Sequence, residues 1–363
     1  MMPQSHLLSK GRTILSANLS SLIYRIFSTH SYPASDVTEQ NCLNEKCRFK
    51  QTEMAELKKA SHIKKQITAI KYEVRPIRKE DIPQTLDIWK ETGVYGGDYL
   101  HTWLAFDPEG IHVAVTDSGE VLGACAGVIN HDDLAFFGAY SVREKYQRQG
   151  IGFKIYLACN EHIGARNAGL NAVPGKLELY RDKYGFSIVE NKWDLLVNEI
   201  YENISPENLS YEVPKGVYIE NCRIAHLPLI YEYDCNLVGY RRDLAIKFMV
   251  QEQDTESLVA TKDGECVGFG VIKKTYRGVH HIGPLYANDA AVAEVILRRL
   301  IVSTPEIKGL YMATVSNNVP ANDFVKKLGC PKLELCPRLT RKEMANVDTN
   351  RIFALFDMHF TLF

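Results

Sequence analysis

From residue 71 onward, the spacing of apolar positions predicts an ordered series of strands and helices. Ile82, Leu86 and Trp89 recur at the spacing of one helix face, and the segments that follow alternate apolar and polar residues, as strands do. The first half is therefore predicted to contain strands at 72–77, 111–115, 121–129, 134–142 and 170–173, with helices at about 82–89, 150–166 and 176–184.

The same order of elements returns in the second half of the chain. Residues 113–123 align with residues 258–268, and two glycines and one glutamate keep their offsets in both copies. Such an internal repeat indicates two domains of one fold in tandem. We place them at 71–205 and 206–363, because residues 198–214 are polar and carry no periodic pattern. The second copy is predicted to contain strands at 279–287 and 310–315 and helices at 290–301 and 321–328.

The first 70 residues differ from the rest in composition. Residues 1–35 contain Lys10, Arg12 and Arg25, eight serines and no acid, with apolar residues at roughly helical spacing. A basic, serine-rich and acid-poor amphipathic start is typical of a mitochondrial presequence, and a disordered tail fits the same residues equally well. Residues 36–70 are polar and of mixed charge, so we interpret them as a linker.

The overall composition argues against several classes of function. The 43 Lys and Arg residues nearly balance the 44 Asp and Glu residues, so no overall charge favours binding to nucleic acid or to an anionic membrane. No apolar run approaches the ~20 residues that a membrane-spanning helix needs. The nine cysteines are scattered without a Cys-x-x-Cys pair, so we expect neither a metal site nor a disulfide framework.

The segment 147–152 reads Gln-Arg-Gln-Gly-Ile-Gly and joins a predicted strand to a predicted helix. A helix N-terminus carries unpaired N–H groups and a partial positive charge, and glycines let a phosphate approach because they lack a Cβ. A Gly-x-Gly turn alone is weak evidence. The preceding strand, the placement of Gln147 three residues before Gly150 and the amphipathic helix that follows strengthen the prediction of a phosphate-binding loop.

In these residues the chain resembles the GNAT superfamily of acyl-CoA N-acyltransferases. The family's pyrophosphate loop, Gln/Arg-x-x-Gly-x-Gly/Ala, is complete at 147–152, and the pair Gly185 and Phe186 matches the family's closing Gly-Phe. Glu144 occupies a place that proline often holds in the family. The resemblance implies an α/β fold of the α+β, mixed-sheet kind, with two tandem GNAT-like domains that each have a central, mainly antiparallel sheet flanked by helices.

The resemblance also implies roles for the loop and for the strand before it. The co-substrate would be acetyl-CoA or another acyl-CoA, the acceptor would be a small-molecule or amino-acid-like amine, and no metal would take part. The backbone of Tyr140 and Val142 would pair with the pantetheine arm, and the Val142 amide would polarise the thioester carbonyl. The residues implied to hold the pyrophosphate are Gln147, Arg148, Gln149, Gly150, Ile151 and Gly152.

Proton transfer requires a base for the amine and a donor for the departing thiolate. Asp132, Asp133 and Glu144 are candidates for the base, and we favour the simpler interpretation that they are solvated turn acids. The family often places the donor tyrosine four residues before the last-helix glycine, where this chain has Arg181, and Tyr180 stands one residue earlier. Because one residue turns a helical side chain by roughly 100°, Tyr180 is either the donor on a locally shifted helix or a core aromatic.

The second half departs from this pattern. It has no counterpart of the loop, and Asp289 stands at the start of its helix, where a carboxylate repels phosphate. This half resembles the family's atypical C-terminal domain, which implies one CoA per chain and a second domain that walls the acceptor pocket or forms a subunit contact. Asp234, Arg241 and His281 are candidate pocket groups, and we favour a buried ion pair and a hydrogen-bonded core histidine as the alternatives.

Three functions are compatible with the sequence: an N-acetyltransferase of a small amine, an acyltransferase that uses a longer acyl-CoA, and a catalytically weak CoA-binding regulatory protein. The intact loop favours CoA binding in all three, and the displaced Tyr180 favours the third. We also expect the first domain, cut after about residue 205, to keep some CoA affinity without turning over an acceptor.

Overall fold

The structure is a computed structural model of the 363-residue chain and describes residues 70–94, 99–202, 204–304 and 307–363. The candidate presequence at 1–35 lies outside the described residues, and so does the linker at 36–70 except for its last residue. Across the described ranges, each helix is too short or too polar to cross a lipid bilayer. The same ranges contain no group of three His, Cys, Asp or Glu residues that could hold a metal ion.

The first half begins with β1 (Tyr72–Pro76) and α1 (Ile82–Thr92). The predicted helix is confirmed: Ile88 and Trp89 are fully buried on its inner face, and the helix stops at Gly93, whose φ of 72° is left-handed. The later elements of this half are α2 (Leu100–Phe106), β2 (Ile111–Thr116), β3 (Val121–His131), β4 (Leu134–Val142), α3 (Ile151–Ile163), β5 (Asn167–Asn171), α4 (Leu177–Lys183), β6 (Ile188–Val189) and β7 (Leu195–Ile200).

The second half repeats this order, as the aligned segments predict. The β2–β3 hairpin turns at Gly119 with a φ of 84°, and the matching hairpin turns at Gly264 with a φ of 85°. The elements of this half are β8 (Val217–Asn221), α5 (Leu227–Val238), α6 (Asp243–Gln251), β9 (Thr255–Lys262), β10 (Glu265–Lys274), β11 (His280–Ala287), α7 (Ala290–Ser303), β12 (Leu310–Val315), α8 (Val319–Lys327), β13 (Lys332–Cys336), β14 (Arg338–Thr340) and β15 (Ile352–Ala354).

Two mixed sheets flanked by helices result, and they exchange one strand each. The first sheet has the order β1-β2-β3-β4-β5-β14-β6, and the second has the order β13-β7-β12-β11-β10-β9-β8. Among the described strands, only the β4–β5 and β11–β12 pairs are parallel. Strand β7 of the first half thus lies between β12 and β13, and β14 of the second half lies between β5 and β6. Two strands therefore cross the predicted boundary at residue 205.

Arg338 holds the exchanged strand β14 in the first sheet. Its side chain is buried, and its guanidinium carbon lies 5.2–5.4 Å from the ring centres of Phe136, Trp193 and Phe363. Its Nε donates a hydrogen bond of 2.6 Å to Asn171 Oδ1 on β5. A desolvated cation over an aromatic face stabilises a fold by about 2 kcal/mol. The contacts of Arg338 therefore help to hold β14 in the first sheet.

A wedge opens in the first sheet between β4 and β5. These strands pair over three residues only, and β4 then bends where Ala139 has a φ of 47°. The final segment of the chain, residues 355–363, reaches into the gap. A Cβ on Gly138 would lie 2.1 Å from the His359 carbonyl oxygen, and Asn171 Nδ2 donates to the Met358 carbonyl at 2.8 Å. The final segment therefore keeps the two strands apart.

The corresponding gap in the second sheet is filled by the chain itself. Strand β15 pairs with β11 there, and the Leu355 N–H donates to the Ala313 carbonyl of β12 at 2.9 Å. At the start of α7, the Asp289 carboxylate accepts a hydrogen bond of 3.0 Å from the Val292 N–H. The second sheet thus offers no open gap beside an uncapped helix start within its described residues.

Candidate active site

A cleft of about 1040 Å³ opens at the wedge of the first sheet. Its walls come from the edge of β4, the segment 147–152, β5 and α4, and from two parts of the second half, strand β13 and the final segment. The volume is at the upper end of the range for small-molecule sites, which are typically about 300–1,000 Å³. Both halves of the chain therefore contribute to one site.

The segment 147–152 forms one end of the cleft as a backbone cradle. Arg148 and Gly150 have φ values of 62° and 81°, and turns of this kind gather successive N–H groups on one side. The N–H groups of residues 148–153 have no acceptor among the described residues, and the first hydrogen bond at this end of α3 runs from the Lys154 N–H to the Gly150 carbonyl at 3.3 Å. Together with the positive end of α3, these donors form an anion site.

The open edge of β4 leads away from the cradle. Because the Arg143 N–H donates to the Leu122 carbonyl of β3 at 2.9 Å, the backbone of Val142 faces the opposite way, toward the cleft. The Val142 carbonyl accepts a hydrogen bond of 3.0 Å from Gln147 Nε2, and its N–H has no acceptor in the described part of the chain. An edge of this kind can pair with an extended ligand as an added strand does.

Tyrosines cluster along the middle of the cleft. The hydroxyls of Tyr140 and Tyr184 lie 3.5 Å apart, and the ring of Tyr156 stacks on that of Tyr184 with 4.1 Å between their centroids. Tyr180 lines the cleft with 8% of its surface exposed, and its hydroxyl has no hydrogen-bond partner among the described residues. Burial raises the pKa of Tyr180, so its hydroxyl stays protonated at neutral pH.

Helix α4 ends in a turn that contains one residue more than usual between Tyr180 and Gly185. The Phe186 N–H donates to the Tyr180 carbonyl at 3.1 Å, which closes a loop one residue larger than the usual Schellman end of a helix. Tyr180 lines the cleft although it stands one residue before the expected position.

The final segment brings His359 into the cleft from the second half. Its Nδ1 accepts a hydrogen bond of 3.4 Å from the Ala139 N–H. The segment is anchored by the buried Arg242, which donates to the Phe363 carbonyl oxygen at 2.5 Å and to both carboxylate oxygens of Asp234 at 2.8 Å. Burial acts to lower the pKa of Arg242, but the charge and hydrogen bonds of Asp234, together with Tyr286 and Tyr240, outweigh it and the pKa is raised, so the anchor stays charged.

Comparisons with known proteins place this geometry in a family. The model described as the acetyltransferase (GNAT) family matches residues 75–186, and the one described as an acetyltransferase (GNAT) domain matches residues 230–354. The chain is a tandem GNAT protein. A search of curated protein sequences finds no significant match to it.

Solved structures share the fold of this chain. An acetyltransferase-like protein from Pyrococcus horikoshii is 18% identical with a TM-score of 0.62, over 80% of this chain and 96% of that one. A tandem GNAT protein of the clavulanic acid biosynthesis pathway is 15% identical with a TM-score of 0.51, over 74% and 98%. A GCN5-related N-acetyltransferase from Sphaerobacter thermophilus is 14% identical with a TM-score of 0.51, over 76% and 97%. At these identities the likeness concerns the fold alone.

Two of the acids predicted as catalytic lie away from the GNAT cleft. Glu144 is exposed, and its N–H donates to Glu91 Oε1 at 2.9 Å. Asp133 is exposed in the β3–β4 turn, at the opposite end of β4 from the cradle. Neither residue lines the cleft, so neither is placed to take a proton from an acceptor bound there.

The three residues predicted for the acceptor pocket do not line the cleft either. Asp234 forms the buried ion pair with Arg242, whereas Arg241 points to the surface and pairs with Asp243 at 2.5 Å. His281 is buried, in contact with the ring of Tyr311. Burial, helped by the nearby positive charge of Lys273, lowers the pKa of His281 to about 3. The residue next to Arg241 in sequence is thus the one with a structural role, as the anchor of the final segment.

Sequence reasoning missed two cleft residues, Glu334 and His359. Both come from the second half and reach the cleft because the chain crosses back to the first sheet. The apolar run at the end of the sequence contains one histidine, and this contrast was the only local signal. For Glu334 the signal is its place between the apolar residues Leu333 and Leu335. In a strand, its side chain points to the face opposite to theirs.

Replacing Gly152 with Ala tests the cradle. The added Cβ would lie 2.5 Å from the Tyr140 hydroxyl oxygen, so we expect the dissociation constant for acetyl-CoA to rise about tenfold or more, since each hydrogen bond to a charged group is worth about 1.5–3 kcal/mol. Titration calorimetry measures this change. Because the hydroxyl is the closest atom, the double variant Gly152→Ala with Tyr140→Phe should recover part of the affinity. An unchanged affinity in Gly152→Ala would contradict the site.

Proposed function

We propose that this tandem GNAT protein transfers the acyl group of an acyl-CoA, with acetyl-CoA as the expected donor, to a small amine. The observation that carries the proposal is that one cleft is lined by the N–H cradle, the open edge of β4, Tyr180 and His359. The cradle fits a pyrophosphate, because its donors lack acceptors and no atom lies within 4 Å of the place that a Cβ on Gly150 would take. When bound, acyl-CoA supplies the activated thioester.

The positive charges of the residues that line the cleft also support the binding of acyl-CoA. Three cationic residues line it together with the cradle: Arg148, Lys176 and Lys183. Cationic side chains close to an anion site stabilise a ligand that carries several phosphates. The end of the cleft formed by the final segment is left for the acceptor.

The remaining groups serve the transfer itself. The Val142 N–H donates a hydrogen bond to the thioester oxygen and stabilises the charge that develops there. The His359 imidazole takes the proton of the attacking amine, because it lines the cleft in which the acceptor is expected to bind. The Tyr180 hydroxyl then protonates the sulfur that leaves as the C–N bond forms and the C–S bond breaks.

The hypothesis of a CoA-binding regulatory protein rested on the displacement of Tyr180 in the sequence. Tyr180 nevertheless lines the cleft, which supports a donor role for it. We therefore retain acyl transfer as the proposed function.

Turnover of acetyl-CoA against a panel of amines tests the proposal, with free thiol and the mass of the acylated amine as readouts. Tyr180→Phe should lower kcat by about 10²–10⁴-fold, the usual contribution of general acid catalysis, at an unchanged affinity for acetyl-CoA. Tyr211→Phe is the matched control, because Tyr211 is 71% exposed and lies outside the cleft. Acetyl-CoA binding without amine-dependent thiol release would refute catalysis and favour a binding role.

A further inference from the structure

Glu334 projects into the cleft from the second half. It lies on β13, the edge strand of the second sheet, which pairs with β7 only. Successive side chains of a strand point to opposite faces, and Leu333 and Leu335 are 44% and 40% exposed while Cys336 is buried. Glu334 therefore shares the inward face with Cys336 and lines the cleft.

Glu334 is half-buried as a residue, and its carboxylate makes neither a hydrogen bond nor an ion pair to any residue in the described ranges. Most other inward carboxylates in the described part of the chain are paired: Asp234 with Arg242, Glu199 with Arg277, and Asp81 with Arg75. A carboxylate withdrawn from water without a partner has lost solvation that a cation can replace. This carboxylate is thus set to receive a positive charge from a ligand.

The charges that line the cleft are divided by origin. The described cationic lining residues, Arg148, Lys176 and Lys183, all come from the first half, on the cradle and on or beside α4. Glu334 is the one carboxylate among the described residues that line the cleft, and it comes with His359 from the second half. A ligand with a carboxylate at this end would meet the Glu334 charge, whereas a ligand with a second ammonium would pair with it.

We propose that the acceptor is an aliphatic amine with a second positive charge, held by Glu334 at the far end of the acceptor while the other amine reacts. Glu334 is thus the residue that determines acceptor specificity, and a diamine is preferred over a monoamine and over an amino acid of the same length. This inference rests on the proposed acyl transfer, because it assigns a substrate class to the same cleft.

Calorimetry measures the binding of three ligands of similar length to the CoA-loaded protein. Diaminobutane carries an amine at each end, butylamine carries one terminal amine, and aminobutyrate carries an amine at one end and a carboxylate at the other. We expect diaminobutane to bind most tightly, and Glu334→Gln to weaken its binding about 10–100-fold, as for loss of a charge-assisted hydrogen bond. The binding of butylamine should change little in Glu334→Gln. Glu178→Gln is the matched control, since Glu178 is exposed on α4 and outside the cleft.

The failures of the two proposals give different results. Absence of CoA binding to the unmodified protein would overturn the proposed function and this inference together. CoA binding with equal affinity for diaminobutane and butylamine, or with aminobutyrate bound best, would overturn the acceptor class alone. If Glu334→Gln weakened the binding of all three ligands equally, the substitution would be acting on the fold. The same would follow if Glu178→Gln weakened the binding of diaminobutane as much as Glu334→Gln does. Either result would also overturn the acceptor class.

Discussion

Replacing His359 with Gln is expected to lower kcat for amine acylation by about 10²–10⁴-fold, the contribution of a positioned general base. The affinity for acetyl-CoA should be unchanged, because the cradle at 147–152 lies at the other end of the cleft. Steady-state thiol release gives kcat, and calorimetry gives the affinity. The pH profile adds a further check, since the limb of kcat that reports a base should disappear in the variant.

His101→Gln is the matched control for this substitution. His101 is exposed on α2 and does not line the cleft, so its replacement should leave both kcat and the pH profile unchanged. If His359→Gln turned over the acceptor at the original rate, the final segment would have only a structural part in the site.

Separating the two halves after residue 205 is expected to abolish folding of both. The first fragment would lose β14, which lies between β5 and β6, and would expose the unpaired strand β7. The second fragment would lose β7 from between β12 and β13 in the same way. We therefore no longer expect residues 71–205 alone to keep CoA affinity. Circular dichroism and acetyl-CoA titration of each purified fragment measure the result.

A nick a few residues further along the folded chain provides the control. Cleavage between residues 210 and 214, where the described backbone is irregular and largely exposed, should leave the pieces associated, folded and able to bind acetyl-CoA. Co-expression of the two fragments should restore the same complex. An isolated first fragment that folds and binds acetyl-CoA would contradict the importance of the exchanged strands.

Local patterns predicted the framework of each half. The strand at 134–142 has the predicted bounds, and the strand at 310–315 and the helix that begins at residue 290 also agree. These elements have strong periodicity because each buries one continuous face. The strand predicted at 170–173 lies at 167–171 instead, because its pairing with β4 and β14, and not its own composition, sets its limits.

The exchanged strands and the acceptor end of the cleft could not be predicted in this way. Strand β14 has three residues, all buried, and so short a segment shows neither a period nor the sheet to which it belongs. The role of His359 depends on the Arg242 anchor and on the close approach to Gly138. Both are contacts between positions far apart in sequence, to which spacing rules are blind. The cradle was predictable because its chemistry lies within six consecutive residues.

The exchange of β14 also has a consequence for synthesis on the ribosome. Arg338 is 167 residues later in the chain than its partner Asn171 on β5. At about 5–20 residues per second, a typical rate of translation, roughly ten to thirty seconds separate the emergence of the two strands. During that interval β5 lacks its neighbour β14 in the first sheet. Strand β7 is also unpaired, because β12 and β13 have not yet been synthesised. We therefore expect the nascent first half to need protection of its open strand edges until the whole chain is released.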